Sequence, residues 1–171
     1  MSIILFSRLV GSGKTTELME WSRRQNNIAG ILMPDIEGKR KIFNLQTKEI
    51  VELECTDPDN CSEGLIQVGR FYFYAAVFRQ VNTILLQSLE AGPDWLVVDE
   101  VGKLELNGSG FYDSVNWIIS AQKNKTTASK ILLVVRENLC DEVISFFKIE
   151  DYIKAHDLKG PLFNDPPTQL L

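Results

Sequence analysis

The sequence predicts an α/β domain built on a mostly parallel sheet flanked by helices, with an antiparallel β-hairpin at its edge. Three observations predict it. Short apolar runs at residues 3–6, 28–33, 95–98 and 130–135 alternate with stretches of helical periodicity, and strands that read apolar on both faces belong to a sheet covered on both sides. The first run passes through a glycine-rich turn directly into a helical pattern. The third ends on two adjacent carboxylates, Asp99 and Glu100.

In chain order, residues 3–6 form a buried strand that stops at turn chemistry, and residues 14–24 a helix with Leu18 and Trp21 on its buried face. Residues 28–33 form a second strand, ended by Pro34, and residues 35–41 read as a polar loop around Gly38. Residues 41–45 and 50–54 alternate in polarity and pair as a hairpin across 46–49. A loop rich in Asp, Asn, Ser and Pro spans 56–63, and residues 65–73 are extended with a turn at Gly69. Val77, Val81, Ile84, Leu85 and Leu89 recur at helical spacing between 75 and 91, where Gly92-Pro93 stops the helix. Helices follow at 110–123 and 139–147, with strands at 130–135 and 152–155. The tail from Gly160, carrying Pro166 and Pro167, is irregular.

A length of 171 residues fits one domain with a substantial core, residues 1–171 throughout. A net charge of -5 argues against generic nucleic-acid binding, since phosphate backbones reward Lys and Arg surfaces. No apolar run is long enough to span a bilayer or to serve as a signal peptide. Cys55, Cys61 and Cys140 form no C-x-x-C pair, and His156 is the sole histidine, so the cysteines read as reduced thiols of a cytoplasmic protein and not as a zinc site.

The turn Val10-Gly11-Ser12-Gly13-Lys14-Thr15-Thr16 ends as a phosphate-binding loop ends. Backbone N–H groups at a helix start face an anion, and the helix dipole favours it. Lys14 would reach the β- and γ-phosphates, and the Thr15 hydroxyl would ligate Mg²⁺. The pattern G-x-x-x-x-G-K-[ST] places glycine where this chain has Arg8. That position lies at the strand exit, where an arginine needs only an allowed backbone angle and a path to solvent. A glycine turn capping an ordinary helix is the alternative.

Asp99 ends an apolar strand, where a phosphate-loop protein needs an acid for Mg²⁺. Glu100 then fits a residue that positions or deprotonates water; otherwise it only begins a polar loop. The run Asp99 to Leu106, "DEVGKLEL", resembles the signature of a family of small P-loop nucleoside-triphosphatases, the cancer-related enzyme and its thermophile homologues. "GILMPDIEGKRKIFNL" at 30–45 and "VGRFYFY" at 68–74 resemble two further segments of that family. The resemblance implies a P-loop fold and Mg²⁺-dependent hydrolysis of ATP, GTP and other nucleoside triphosphates, with loose base selectivity. It also places Lys39 and Arg40 near the nucleotide. Arg8, Glu37 and Ile42 depart from the family's pattern.

Arg136 follows the strand 130–135 and is a candidate for offsetting charge on the γ-phosphate; a surface arginine paired with Glu137 or Glu142 is the alternative. Lys103 and Glu105 suggest an ion pair that orients the loop after Asp99. Phe71, Tyr72, Phe73 and Tyr74 read as aromatic core in preference to a base-stacking platform. The rival functions are a small-molecule or nucleotide kinase and a slow nucleotide-dependent binding switch. A kinase needs an acceptor pocket and a lid, and the sequence has no arginine-rich lid insertion.

Overall fold

A computed structural model of the chain describes residues 3–9, 11–61 and 64–164. Strand β1 (Ile3–Arg8) feeds the glycine turn and helix α1 (Lys14–Ser22). β2 (Ile28–Leu32) follows, then five short strands: β3 (Asp35–Ile36), β4 (Lys39–Asn44), β5 (Ile50–Glu52), β6 (Glu54–Cys55) and β7 (Leu65–Val68). β8 (Phe71–Tyr74) leads into α2 (Ala75–Glu90), and β9 (Trp95–Val101) into a short α3 (Lys103–Leu106) and α4 (Tyr112–Lys123). β10 (Lys130–Arg136), α5 (Cys140–Phe146) and β11 (Tyr152–Ala155) complete the order.

The main sheet runs β11-β1-β10-β9-β2-β4-β3, with β5 paired to β4. Its first five strands are parallel, and β4 turns antiparallel to β2 and to β5. The central strands are apolar throughout because both faces are covered. Ile3 and Leu5 of β1 join the core under α2 and α4, while Ile4 and Phe6 join Leu18, Trp21 and Trp95 under α1. A second sheet, β6-β8-β7, stands beside the first. Phe73 of β8 is buried in the larger core, and Phe71, Tyr72 and Tyr74 are half-buried, in keeping with an aromatic core. Among the described residues no helix is long and apolar enough to cross a membrane. None of Cys55, Cys61 and Cys140 forms a disulfide among the described residues.

Three expectations change. The polar loop expected at 35–41 is a tight hairpin, β3 pairing with β4 around Glu37 (φ 56°) and Gly38 (φ 76°). Both positions take the left-handed backbone of a two-residue hairpin turn, and a glutamate there hides the signal, since the usual cue is Asn-Gly or Asp-Gly. The loop after Asp99 contains a full helical turn, α3. Arg40 therefore lies on a strand and not in a loop. Pro166 and Pro167 lie outside the described residues.

Candidate active site

Parallel strands converge their C-terminal ends on one crevice, and here the ends of β1, β2, β9 and β10 build a cavity of about 500 Å³. Gly11, Ser12, Gly13, Lys14, Thr15 and Thr16 form one side of it. Arg40, Glu100 and Arg136 line it from other elements. Val10 lies outside the described residues. Gly11 and Gly13 take φ 75° and 80°, which lets the turn curl around the space where an anion would sit.

Lys14 is buried, and its Nζ donates to the carbonyls of Arg8 (3.1 Å) and Leu9 (3.0 Å). Burial lowers its pKa, against the opposing pull of Glu100 and Asp99. Asp99 has no exposed surface. Its Oδ2 accepts from the Thr15 hydroxyl at 3.2 Å and from the Met33 amide at 3.0 Å, and its Oδ1 from the Glu100 amide at 2.9 Å. Burial, reinforced by the charge of Glu100, pushes its pKa up to about 6. Thr15 and Asp99 thus present hard oxygens side by side, a donor set that suits Mg²⁺, which keeps several waters and takes few protein ligands.

Glu100 owes its placement to a bulge. Val98 pairs with Leu133 but Val101 with Val135, so β9 spends one more residue than β10 over this interval. Without the bulge, Val101 would turn to the α1 side; with it, Val101 joins the core on the opposite face. Glu100 takes up the extra residue at φ 60° and faces the cavity. Arg136 grips it: Nε and Nη2 donate to Glu100 Oε2 at 3.2 and 3.1 Å. The expected alternative pairing of Arg136 with Glu137 or Glu142 is corrected, because the strand end aims the guanidinium across the sheet and not along its own chain.

Arg8 does not need glycine's freedom. Its φ is not positive, its guanidinium pairs with Glu17 on α1 and lies over the Phe6 ring, and its carbonyl serves Lys14.

A family model described as NTPase matches residues 4–158. The chain belongs to the NTPase family. Two curated relatives named nucleoside-triphosphatase THEP1 are similar to it. The one from Thermotoga sp. (strain RQ2) is 27% identical over 74% of this chain and 73% of its own. The one from Thermotoga maritima is 28% identical over 71% and 70%. The crystal structure of THEP1 from Aquifex aeolicus superposes with a TM-score of 0.69 over 91% of this chain and 89% of its own, at 16% identity, which establishes the P-loop α/β fold.

Sequence reading of this NTPase-family enzyme missed three anchors. The Met33 amide has no side-chain signal at all. Glu17 accepts from Arg8 and, at 2.8 Å, from the Leu158 amide, and so ties α1 to the segment after β11. Glu105 is not the ion-pair partner of Lys103. It is buried, and its oxygens accept from the amides of Gly102 (2.8 Å) and Phe111 (2.9 Å), which pins both ends of the α3 segment. Lys103 is exposed. His156 donates to the Ser7 carbonyl at 2.9 Å, and Lys39 is exposed on β4.

Proposed function

We propose that the chain, acting as one domain, hydrolyses nucleoside triphosphates, ATP and GTP among them, to diphosphate and phosphate in the presence of Mg²⁺. The observation that carries this is the Thr15–Asp99 contact of 3.2 Å at the crevice, with Lys14 and Glu100 on the same cavity. The amides of residues 11–16 and the buried Lys14 bind the β- and γ-phosphates. On triphosphate binding the Lys14 ammonium exchanges its two carbonyl partners for phosphate oxygens, so the charge is held ready at the site. Thr15 and Asp99 would hold Mg²⁺, which would neutralise charge on the β- and γ-phosphates.

Glu100 holds the attacking water and accepts its proton. Arg136 orients that carboxylate and lends positive charge where the γ-phosphoryl group is attacked. Arg40 closes the cavity from β4. Positioning and electrostatics suffice here, because phosphoryl transfer needs little covalent help.

The test is phosphate release across a panel of nucleoside triphosphates, with and without Mg²⁺. Release from several nucleotides, abolished by chelator, is the expected result. Tight binding with no release under any condition would sink the hydrolase reading.

A further inference from the structure

A second chamber, of about 310 Å³, opens on the other side of the Glu100–Arg136 pair. It shares Met33, Arg40, Glu100 and Arg136 with the phosphate cavity, so that pair is a common wall. The interior is apolar and largely aromatic: Val68, Phe71, Phe73, Phe78, Phe111 and Leu139. A volume at this scale, apolar inside with a few convergent polar groups, is what small organic ligands occupy.

The charges around it are one-sided. Arg40, Arg70, Lys103 and Arg136 face Glu100 and Glu105, in a protein whose net charge is -5. Both carboxylates are already engaged, Glu105 by two amides and Glu100 by Arg136. Arg40 and Arg70 stand over the same ring, their guanidinium carbons 5.7 and 5.0 Å from the centroid of Phe71. Neither joins an ion pair formed among the described residues. Two like charges gathered on one ring attract an anion, and the aromatic interior favours a ring attached to it.

We propose that this chamber binds a second small molecule, an aromatic ring carrying a phosphate or carboxylate, while the triphosphate occupies the neighbouring cavity. The proposal rests on the triphosphate reading above. The occupant is not the base of that triphosphate. Lys14 and Thr15 place the γ-phosphate end toward Glu100 and the shared wall, and the base hangs from the opposite end.

The experiment titrates phenyl phosphate, benzoate and neutral benzyl alcohol into protein saturated with Mg²⁺ and β,γ-imido-ATP, followed by amide NMR shifts. Either anion should bind at least tenfold more tightly than the alcohol, and the tighter anion identifies the source of the charge. Arg70→Glu reverses a rim charge, and Val68→Trp fills the chamber. Both should weaken the anion at least tenfold and leave phosphate release from ATP within a few-fold. Anions no better than the alcohol, binding indifferent to both variants, or competition between the anion and β,γ-imido-ATP would each overturn the proposal. If β,γ-imido-ATP itself fails to bind, the hydrolase reading falls by that result alone. Titration of the free protein, judged by the same two variants, then decides the chamber.

Discussion

Glu100 and Asp99 are neighbours with opposite circumstances. Asp99 is sealed and takes three hydrogen bonds, whereas Glu100 stands on a bulge with one guanidinium for company. Glu100→Gln keeps size and reach but removes the proton acceptor. Hydrolysis should fall by roughly 10²- to 10⁴-fold, while a binding titration should find Mg²⁺-triphosphate affinity close to the parent's. Lost binding would move Glu100 into the metal site. Arg136→Ala should lower turnover more than affinity, by about 10- to 100-fold, because it frees Glu100 and removes charge felt most in the transition state. Arg136→Lys should recover only part of that loss, since one ammonium cannot reproduce a grip through Nε and Nη2. Asp99 should give the proposed metal site a pH dependence. Its folded pKa of about 6 lies above the ordinary 3.8, so the folded protein holds this proton where the unfolded chain releases it. Stability from this group is therefore fully present below the ordinary value and lost as pH rises through about 6, a difference on the order of 3 kcal/mol. Mg²⁺ requires the ionised form, so Mg²⁺-triphosphate affinity should weaken as pH falls through 6. Calorimetry in buffers of different ionisation enthalpy should find proton release on binding near pH 6 that fades as pH rises well above it. Asp99 and the loop that ends in Lys14 were legible because their chemistry is local to a strand end. The partner of Arg136 was not, because 36 residues separate it from Glu100 and only the parallel register brings them together.

Elements carry the site by close approach. Gly30 of β2 sits opposite Val97 of β9 with φ 105°, and a Cβ there would come within 2.0 Å of the Val97 carbonyl oxygen. Gly30→Ala must push β2 away from β9, two residues before Asp99. A cost on the order of 3 kcal/mol or more is expected, seen as a fall in Tm of roughly 6–12 °C. A shift of a degree or two would mean that the strands yield easily. Arg8→Gly tests the entrance of the phosphate loop. The carbonyl that serves Lys14 survives the change, so activity should stay within a few-fold. The partly exposed pair with Glu17 is lost, for about 1 kcal/mol or less in a thermal melt. At this scale the apolar strands were readable from the sequence because burial on both faces leaves no polar residue to interrupt them. The β3–β4 turn and the bulge at Glu100 were not. Each places a glutamate at positive φ, which residue preference argues against and tertiary packing imposes. Glu105 was misread for a related reason: in a segment read as a loop, beside Lys103, it suggests an ion pair, yet its partners are the amides at the two ends of its own segment.

At the scale of the whole molecule, ligand that binds only the folded state adds to its stability. Mg²⁺-triphosphate at 100 times its dissociation constant should contribute about 2.7 kcal/mol. For a chain of 171 residues that is a rise in Tm of roughly 5–10 °C. The Lys14→Ala variant should show no such rise, though its own unliganded melt should remain cooperative.

The cationic crevice has a kinetic consequence. Lys14, Arg23, Arg40 and Arg136 line the cavity and outnumber Glu20, Asp35 and Glu100 there, in a protein that is acidic as a whole. The net charge of the whole repels a polyanion, and the local excess of cations at the mouth, between low-dielectric walls, should draw it in. Encounter, and not the bond-breaking step, is then the stage most exposed to salt. Raising ionic strength from the millimolar range to a few tenths molar should lower kcat/KM severalfold and leave kcat at saturating triphosphate nearly unchanged, because a seated ligand no longer travels through the screened solvent.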